Sequence, residues 1–327
     1  MEQYRITPEA ESEQGQSFEA QFALREHFDV AGGNAEVIDI KPEKIKDKVP
    51  VLWAPAWGLN VDVYKRSLEE LSEQERRVVS LTHPRKGGDL ESRSSEEELE
   101  KYPKEELRKA YNIIEIIEGK KIDKIDAIAH SEGGVNITIA ATLRPDLFRN
   151  IVYYAPAGMI GKDKFIRLLQ GFAGQGKRAE SIKDYPVSED EKETGAAAAK
   201  SAVEYLVSNP LRAYKEVKEI ADSQIHEMLT YLHEKGIGIV VMTPEDDPVF
   251  PQKLVIDQMT KSNMMDLCVT TKGGHGGIGD QPEKFTVQAE MMLSALQYQN
   301  EHAVDGVKPD IRDYFEARNN SEDPTTL

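Results

Sequence analysis

Ser131 stands in the stretch Ala129-His130-Ser131-Glu132-Gly133, between two apolar runs. The first (Ile122, Ile125, Ala127, Ile128) has the length of a buried strand; the second (Val135, Ile137, Ile139, Ala140, Leu143) continues as a helix that ends before Pro145. A small residue two positions before the serine and a glycine two positions after it suit a sharp strand-to-helix turn, because the helix folds back closely over the strand it leaves. A serine hydroxyl is a poor nucleophile until a base takes its proton. Two later stretches carry suitable groups: the acids 245 to 247, followed by Pro248-Val249-Phe250-Pro251, and His275 within Gly273-Gly274-His275-Gly276-Gly277. Histidine is the usual base, and a carboxylate on its other nitrogen fixes the tautomer and stabilises the imidazolium. The chemistry open to such a set is transfer of an acyl group to the serine and then to water.

Other reactive residues have plainer readings. His130 adjoins Ser131, but neighbours on a tight turn project in different directions, so it reads as a packing or hydrogen-bonding residue. His83 reads as a solvated or capping side chain, with pocket lining as the alternative. His226 and His233 lack the His-Glu-x-x-His spacing that puts two ligands on one zinc, so no metal is expected. Gly274 to Gly279 formally match Gly-x-Gly-x-x-Gly, yet they come late in the chain and do not lead directly into a helix. The run 171 to 178 resembles part of a phosphate loop, with Arg178 where a magnesium-binding Ser or Thr belongs, and reads as a flexible linker. No cofactor is expected.

Residues so far apart meet only if each follows a parallel strand, since parallel strands deliver their following loops to one edge of the sheet. The chain supplies that pattern. Residues 1 to 16 read as a loose acidic arm, and 18 to 30 alternate as a strand with 35 to 42 as its hairpin partner. A buried strand runs from 48 into a loop at 55 to 58, followed by a helix with Asn60 as N-cap and then a strand at 76 to 84. Ser95 and Glu98 form a capping box for a helix whose buried stripe is Leu107, Ala110, Ile114 and Ile117, stopped at Gly119. After the serine turn comes a strand at 149 to 159. Between 160 and 235 the alternation fails: Phe165, Leu168, Leu169 and Phe172 stand at helical spacing, a charged linker carries Gly174, Gly176 and Pro186, and two or three helices break at Asn209 and Pro210. Strand and helix patterns return from 236. The organisation expected is an α/β core of residues 17–159 and 236–302, with a mostly parallel sheet, an antiparallel N-terminal hairpin and helices on both faces. Residues 160–235 form a helical cap over it, and 303–327 a polar tail.

A chain of 327 residues with 39% hydrophobic residues can bury one large core. Its formal net charge of -17 disfavours nucleic acid and anionic membrane surfaces, which demand a basic face. The single cysteine, Cys268, leaves no internal disulfide framework and suits a reducing compartment. With no apolar leader and no run long enough to span a bilayer, a cytoplasmic protein without stable membrane insertion is expected.

From about residue 48 to 298 the sequence resembles the α/β-hydrolase superfamily, specifically its capped serine hydrolases. Ala-His-Ser-Glu-Gly-Gly resembles the nucleophile elbow and implies Ser131 as nucleophile; Asp-Asp-Pro-Val-Phe-Pro resembles the acid loop and implies Asp247 rather than Asp246; Gly-Gly-His-Gly-Gly resembles the histidine loop and implies His275. The family's oxyanion loop is matched by Pro55-Ala56-Trp57-Gly58, with Pro55 and Ala56 in place of the usual His-Gly, and implies backbone N–H donors at Trp57 and Glu132. The activity implied is hydrolysis of a carboxylic ester of a small apolar acyl group, with Phe165, Leu168, Leu169 and Phe172 of the cap as substrate-binding residues. Thioesters, amides, peptides and carbon–carbon bonds use the same triad. The rival class is a small-molecule binding protein on the same scaffold with little turnover.

Overall fold

Eight apolar segments pair into one sheet in the order β1-β2-β4-β3-β5-β6-β7-β8. They are β1 (Glu26–Val30), β2 (Gly33–Ile40), β3 (Asp47–Ala54), β4 (Arg76–Thr82), β5 (Ile125–His130), β6 (Phe148–Tyr154), β7 (Gly238–Pro244) and β8 (Leu267–Thr271). This computed structural model describes residues 16–179, 189–259 and 264–320, so most of the acidic arm and Pro186 of the cap linker lie outside the described residues. β2 runs antiparallel to β1 and to β4, and the remaining pairings are parallel. Val51 to Ala54 of β3 lie in register with Asp126 to Ala129 of β5. The chain proceeds from β3 to β4 on one side and then crosses to β5 on the other, so the loops after β3 and β5 open at a switch point, where open α/β sheets form their crevice.

The helices are α1 (Phe18–Ala23), α2 (Lys65–Glu73), α3 (Glu96–Lys101), α4 (Lys104–Gly119), α5 (Glu132–Leu143), α6 (Phe165–Ala179) and α7 (Glu189–Ser208). They continue with α8 (Pro210–Asp222), α9 (His226–Glu234), α10 (Gln252–Met259), α11 (Gly277–Asp280), α12 (Pro282–Glu301) and α13 (Ile311–Asn320). One core packs α4, α5 and α9 on one face of the sheet, with Ile113, Ile137 and Leu229 fully buried. The other packs α1, α2, α12 and α13 on the opposite face through Phe22, Leu68, Leu293 and Tyr314. Residues Glu132 to Ala141 of α5 are buried without a break, which is why that helix is apolar all round.

Several expectations are corrected. The stretch 18 to 30 divides into α1 and β1: Ser17 accepts a hydrogen bond from the Ala20 amide, and Phe18 stacks on Phe22 at 5.6 Å, the spacing of one helical turn. Asn60 makes no side-chain cap bond, because a 3-10 turn at Val61–Tyr64 precedes α2. Pro103 breaks the helix opened by Ser95 and Glu98 into α3 and α4, although their capping box is formed. The glycines at 171 and 174 lie inside α6 rather than in a flexible linker, and a Cβ on Gly171 would meet the Pro248 carbonyl oxygen at 2.6 Å. The stretch 303–327 is not a plain tail, since α13 buries Ile311 and Tyr314 against the sheet's second core.

Candidate active site

The turn after β5 holds Ser131 at φ 54° and ψ -119°, a backbone region that side-chain-bearing residues rarely enter. Its strain is fixed from both neighbours: the Ser131 amide donates to the Tyr154 carbonyl at 3.2 Å, and the Ser131 carbonyl accepts from Gly134 at 3.0 Å and Ala157 at 2.9 Å. Gly133 is required by space, because a Cβ there would sit 2.5 Å from the Ala54 carbonyl oxygen. That close approach brings the start of α5 under the loop that follows β3.

His275 follows β8 and Asp247 follows β7. The His275 ring spans the two other residues, with Nε2 2.9 Å from Ser131 Oγ and Nδ1 2.8 Å from Asp247 Oδ2. Asp247 Oδ1 accepts from the amides of Val249 at 2.7 Å and Phe250 at 2.9 Å, which locks the carboxylate in one orientation. Asp246 is exposed, and its amide donates to the Gly273 carbonyl at 3.0 Å. The carboxylate on His275 leaves Nε2 to accept the serine proton. Such an arrangement can raise the nucleophilicity of a hydroxyl.

His130 is built into the support of this site. Tyr64 Oη accepts from the Ala56 amide at 3.0 Å and lies 2.8 Å from His130 Nδ1, while His130 Nε2 lies 2.8 Å from the His275 carbonyl oxygen. A carbonyl can only accept, so Nε2 carries the hydrogen and Nδ1 accepts from the tyrosine. Burial, with the nearby His275 ring, lowers the pKa of His130 to about 3 and keeps it neutral. The loop after β3 and the loop after β8 are thereby tied through one imidazole.

The loop after β3 turns at Gly58 (φ 70°), with the Leu59 amide donating to the Ala56 carbonyl at 3.1 Å. Because the Ala56 amide is engaged by Tyr64, the next amide along the loop is that of Trp57. Glu132 is the first residue of α5, where helix amides have no partner within the helix. The side chains of both are anchored in a buried ionic cluster. Trp57 Nε1 donates to Glu216 Oε2 of α8 at 3.0 Å, and Glu132 Oε1 accepts from Lys109 Nζ of α4 at 2.6 Å. Burial alone would strip the lysine of its proton, yet the carboxylates of Glu132 and Glu216 more than offset this and push its pKa well above the ordinary value. A cavity of about 10 Å³ beside this loop is lined by Ala56, Leu59, His83, Lys109, Glu132 and Tyr205, so charged and apolar side chains share its wall. His83 thus borders the site; its Nδ1 faces Asn112 Nδ2 at 3.2 Å.

Of the four cap residues expected to bind substrate, Phe172 reaches the site, its ring edge-on to His275 at 6.2 Å and 6.2 Å from Trp57. Phe165 of α6 packs on Tyr214 of α8, Leu168 is sealed in the core, and Leu169 is 44% exposed. Phe250, which sequence patterning did not single out, stands edge-on to His275 at 5.3 Å. Lys109 and Glu216 were also missed; their only trace is a charged residue at helical spacing among buried positions of α4 and α8. His226 Nε2 donates to the Met159 carbonyl oxygen at 2.8 Å, and His233 pairs with Asp266 at 3.4 Å, so the two do not share a site. A wider cleft of about 400 Å³ at β8, α10 and α13, lined by Ile256, Cys268 and Ile311, includes none of Ser131, Asp247 and His275.

No protein-family model matches the sequence, and no curated protein matches it. Solved structures are similar in fold. An esterase from Exiguobacterium antarcticum superposes with a TM-score of 0.62 over 84% of this chain and 100% of that one, at 15% identity. A thermophilic esterase from Thermogutta terrifontis gives 0.57 over 84% and 99%, at 16% identity, and an enol-lactonase from Burkholderia xenovorans gives 0.57 over 82% and 100%, at 12% identity. With its sheet order, its serine turn and these likenesses, the chain has the α/β-hydrolase fold.

Proposed function

We propose that the protein is a serine hydrolase that cleaves a carboxylic ester, with Ser131 as nucleophile, His275 as general base and Asp247 orienting the imidazole. The observation that carries this reading is the His275 ring held between Ser131 Oγ at 2.9 Å and Asp247 Oδ2 at 2.8 Å, on a serine in a strained turn. In the first half-reaction His275 Nε2 takes the Ser131 proton as Oγ attacks the ester carbonyl carbon. The carbonyl electrons move to oxygen, where the amides of Trp57 and Glu132 donate to the oxyanion. Collapse breaks the bond to the alcohol, which leaves with the proton from Nε2, and water repeats the sequence on the acyl-enzyme. The aromatic frame of Trp57, Phe172 and Phe250 suits a small apolar acyl group. Neighbours titled esterase and enol-lactonase support an ester as the bond cleaved.

A fluorophosphonate tests the reading, because it traps a serine whose proton a base can take. One adduct per chain is expected by intact-mass analysis, lost in Ser131→Ala together with turnover of short-chain esters. An unlabelled wild type that turns over no ester in a graded chain-length screen would leave the binding-protein reading in its place.

A further inference from the structure

Both residues assigned to the oxyanion hole are gripped through their side chains by one buried cluster, and the centre of that cluster belongs to the cap. Glu216 of α8 has no solvent exposure. Its Oε2 accepts from Trp57 Nε1 at 3.0 Å, and its Oε1 meets Tyr205 Oη at 2.5 Å, Arg212 Nε at 3.1 Å and Lys109 Nζ at 3.3 Å. Lys109 in turn holds Glu132 at 2.6 Å. The cap helix therefore reaches the loop after β3 directly and the start of α5 through one lysine. Buried ion clusters contribute little stability relative to apolar packing of the same volume, whereas the geometry they impose is specific. Ser131 and His275 are only 2% and 3% exposed, and Phe172 of α6 stands edge-on to His275 at 6.2 Å.

Resting on the hydrolase reading, we infer that Glu216 is a positioning residue for the oxyanion hole: the contacts that seat the cap also set Trp57 and Glu132, and the hole is complete only while the cap is seated. Glu216 touches neither the serine nor the histidine. Its effect falls on the transition state, where the oxyanion exists, and not on ground-state binding.

The test compares full-length wild type with Glu216→Gln, Trp57→Phe and the double variant. Glu216→Gln keeps the size of the side chain and removes the charge that Lys109 and Arg212 face. Trp57→Phe removes the indole N–H along with part of the ring and leaves the ion pairs in place, so its labelling rate and kcat, read apart from any change in KM, decide the matter should Glu216→Gln not fold. Measured are kcat and KM on a short-chain nitrophenyl ester, the fluorophosphonate labelling rate, and inhibition by a trifluoromethyl ketone, which adds to the serine and places its oxyanion in the hole. Glu216→Gln is expected to lower kcat and labelling by roughly 10-fold or more, with KM within about twofold and the ketone weakened in parallel with kcat/KM. Trp57→Phe should show a smaller loss of the same kind, and the double variant should be no worse than Glu216→Gln. Labelling and kcat at wild-type levels in both single variants, or a loss confined to KM, overturns the inference while the hydrolase reading stands. A wild type that neither labels nor turns over an ester overturns both.

Discussion

Two adjacent aspartates illustrate how the site is decided at the level of single atoms. Asp247 is buried with one oxygen on His275 and the other on two backbone amides, whereas Asp246 is an exposed residue. In Asp247→Asn the carbonyl oxygen is drawn to the Val249 and Phe250 amides, which turns the NH₂ toward His275 and forces the hydrogen onto Nε2. Turnover should fall by about four orders of magnitude with the thermal midpoint near that of wild type, and Asp246→Asn should be far milder; the opposite ranking in steady-state kinetics would show that the acid is misassigned. His130 gives a pH signature. Its pKa of about 3 in the folded chain lies below the ordinary histidine value, so the unfolded chain binds the extra proton first and stability falls as pH drops from about 6.5 toward 3. His130→Gln can still donate to the His275 carbonyl and does not titrate. Urea unfolding at pH 7 and pH 5 should show a loss of stability on acidification that is smaller in the variant by about 2 kcal/mol; equal losses would contradict the burial argument.

Among the elements, α6 is the one whose packing was least visible in the chain. A Cβ on Gly171 would lie 2.6 Å from the Pro248 carbonyl oxygen and 2.9 Å from Val249 Cα, so the glycine lets the helix lie against the acid loop. Gly171→Ala should push that loop and lower both kcat and the thermal midpoint. By contrast Gly195→Ala in α7, where a Cβ meets nothing within 4 Å, should stabilise by about 0.5 to 1 kcal/mol. α6 also separates core from site one turn apart. Leu168, fully buried, should cost about 2 to 5 kcal/mol as Leu168→Ala with acyl-chain preference unchanged. Phe172→Ala, next to His275, should shift that preference toward longer or bulkier acyl groups. Chain-length profiles set beside melting curves check the pair, and an unchanged profile for Phe172→Ala would remove that ring from the substrate wall.

Across the whole molecule, the two ends of the parallel strands have different tasks. The end that follows β3, β5, β7 and β8 carries Trp57, Ser131, Asp247 and His275 on loops, and the other end is tied by buried charge. Arg76 at the start of β4 is 1% exposed, bonded to Asp126 Oδ2 of β5 at 2.7 Å and Glu290 Oε1 of α12 at 3.2 Å, and Arg149 of β6 joins Asp126 from the far side. Removing Arg76 takes the arginine from buried Glu290 and leaves Asp126 with Arg149. Arg76→Met should cost about 3 to 5 kcal/mol in denaturant unfolding, while kcat per folded molecule stays near wild type because the cluster lies at the end of the sheet away from Ser131. A matching fall in kcat would mean that the two ends are coupled. Among the described residues no helix is long and apolar enough to cross a membrane.

The sequence by itself determined the strand and helix alternation, the serine turn and the order of Ser131, Asp247 and His275, because each is written in neighbouring residues: apolar periodicity, a glycine two positions past a serine, turn residues after a strand. Where periodicity is ambiguous the tertiary structure decided. Phe18 and Phe22 serve a helix because Ser17 caps it, and Gly171 is helical because Pro248 lies against it. The buried ionic cluster around Glu216 was beyond local pattern altogether. Trp57 and Glu216 are 159 positions apart, and a charge buried against a distant partner has the same local signature as one facing solvent until the packing that removes the water is in place.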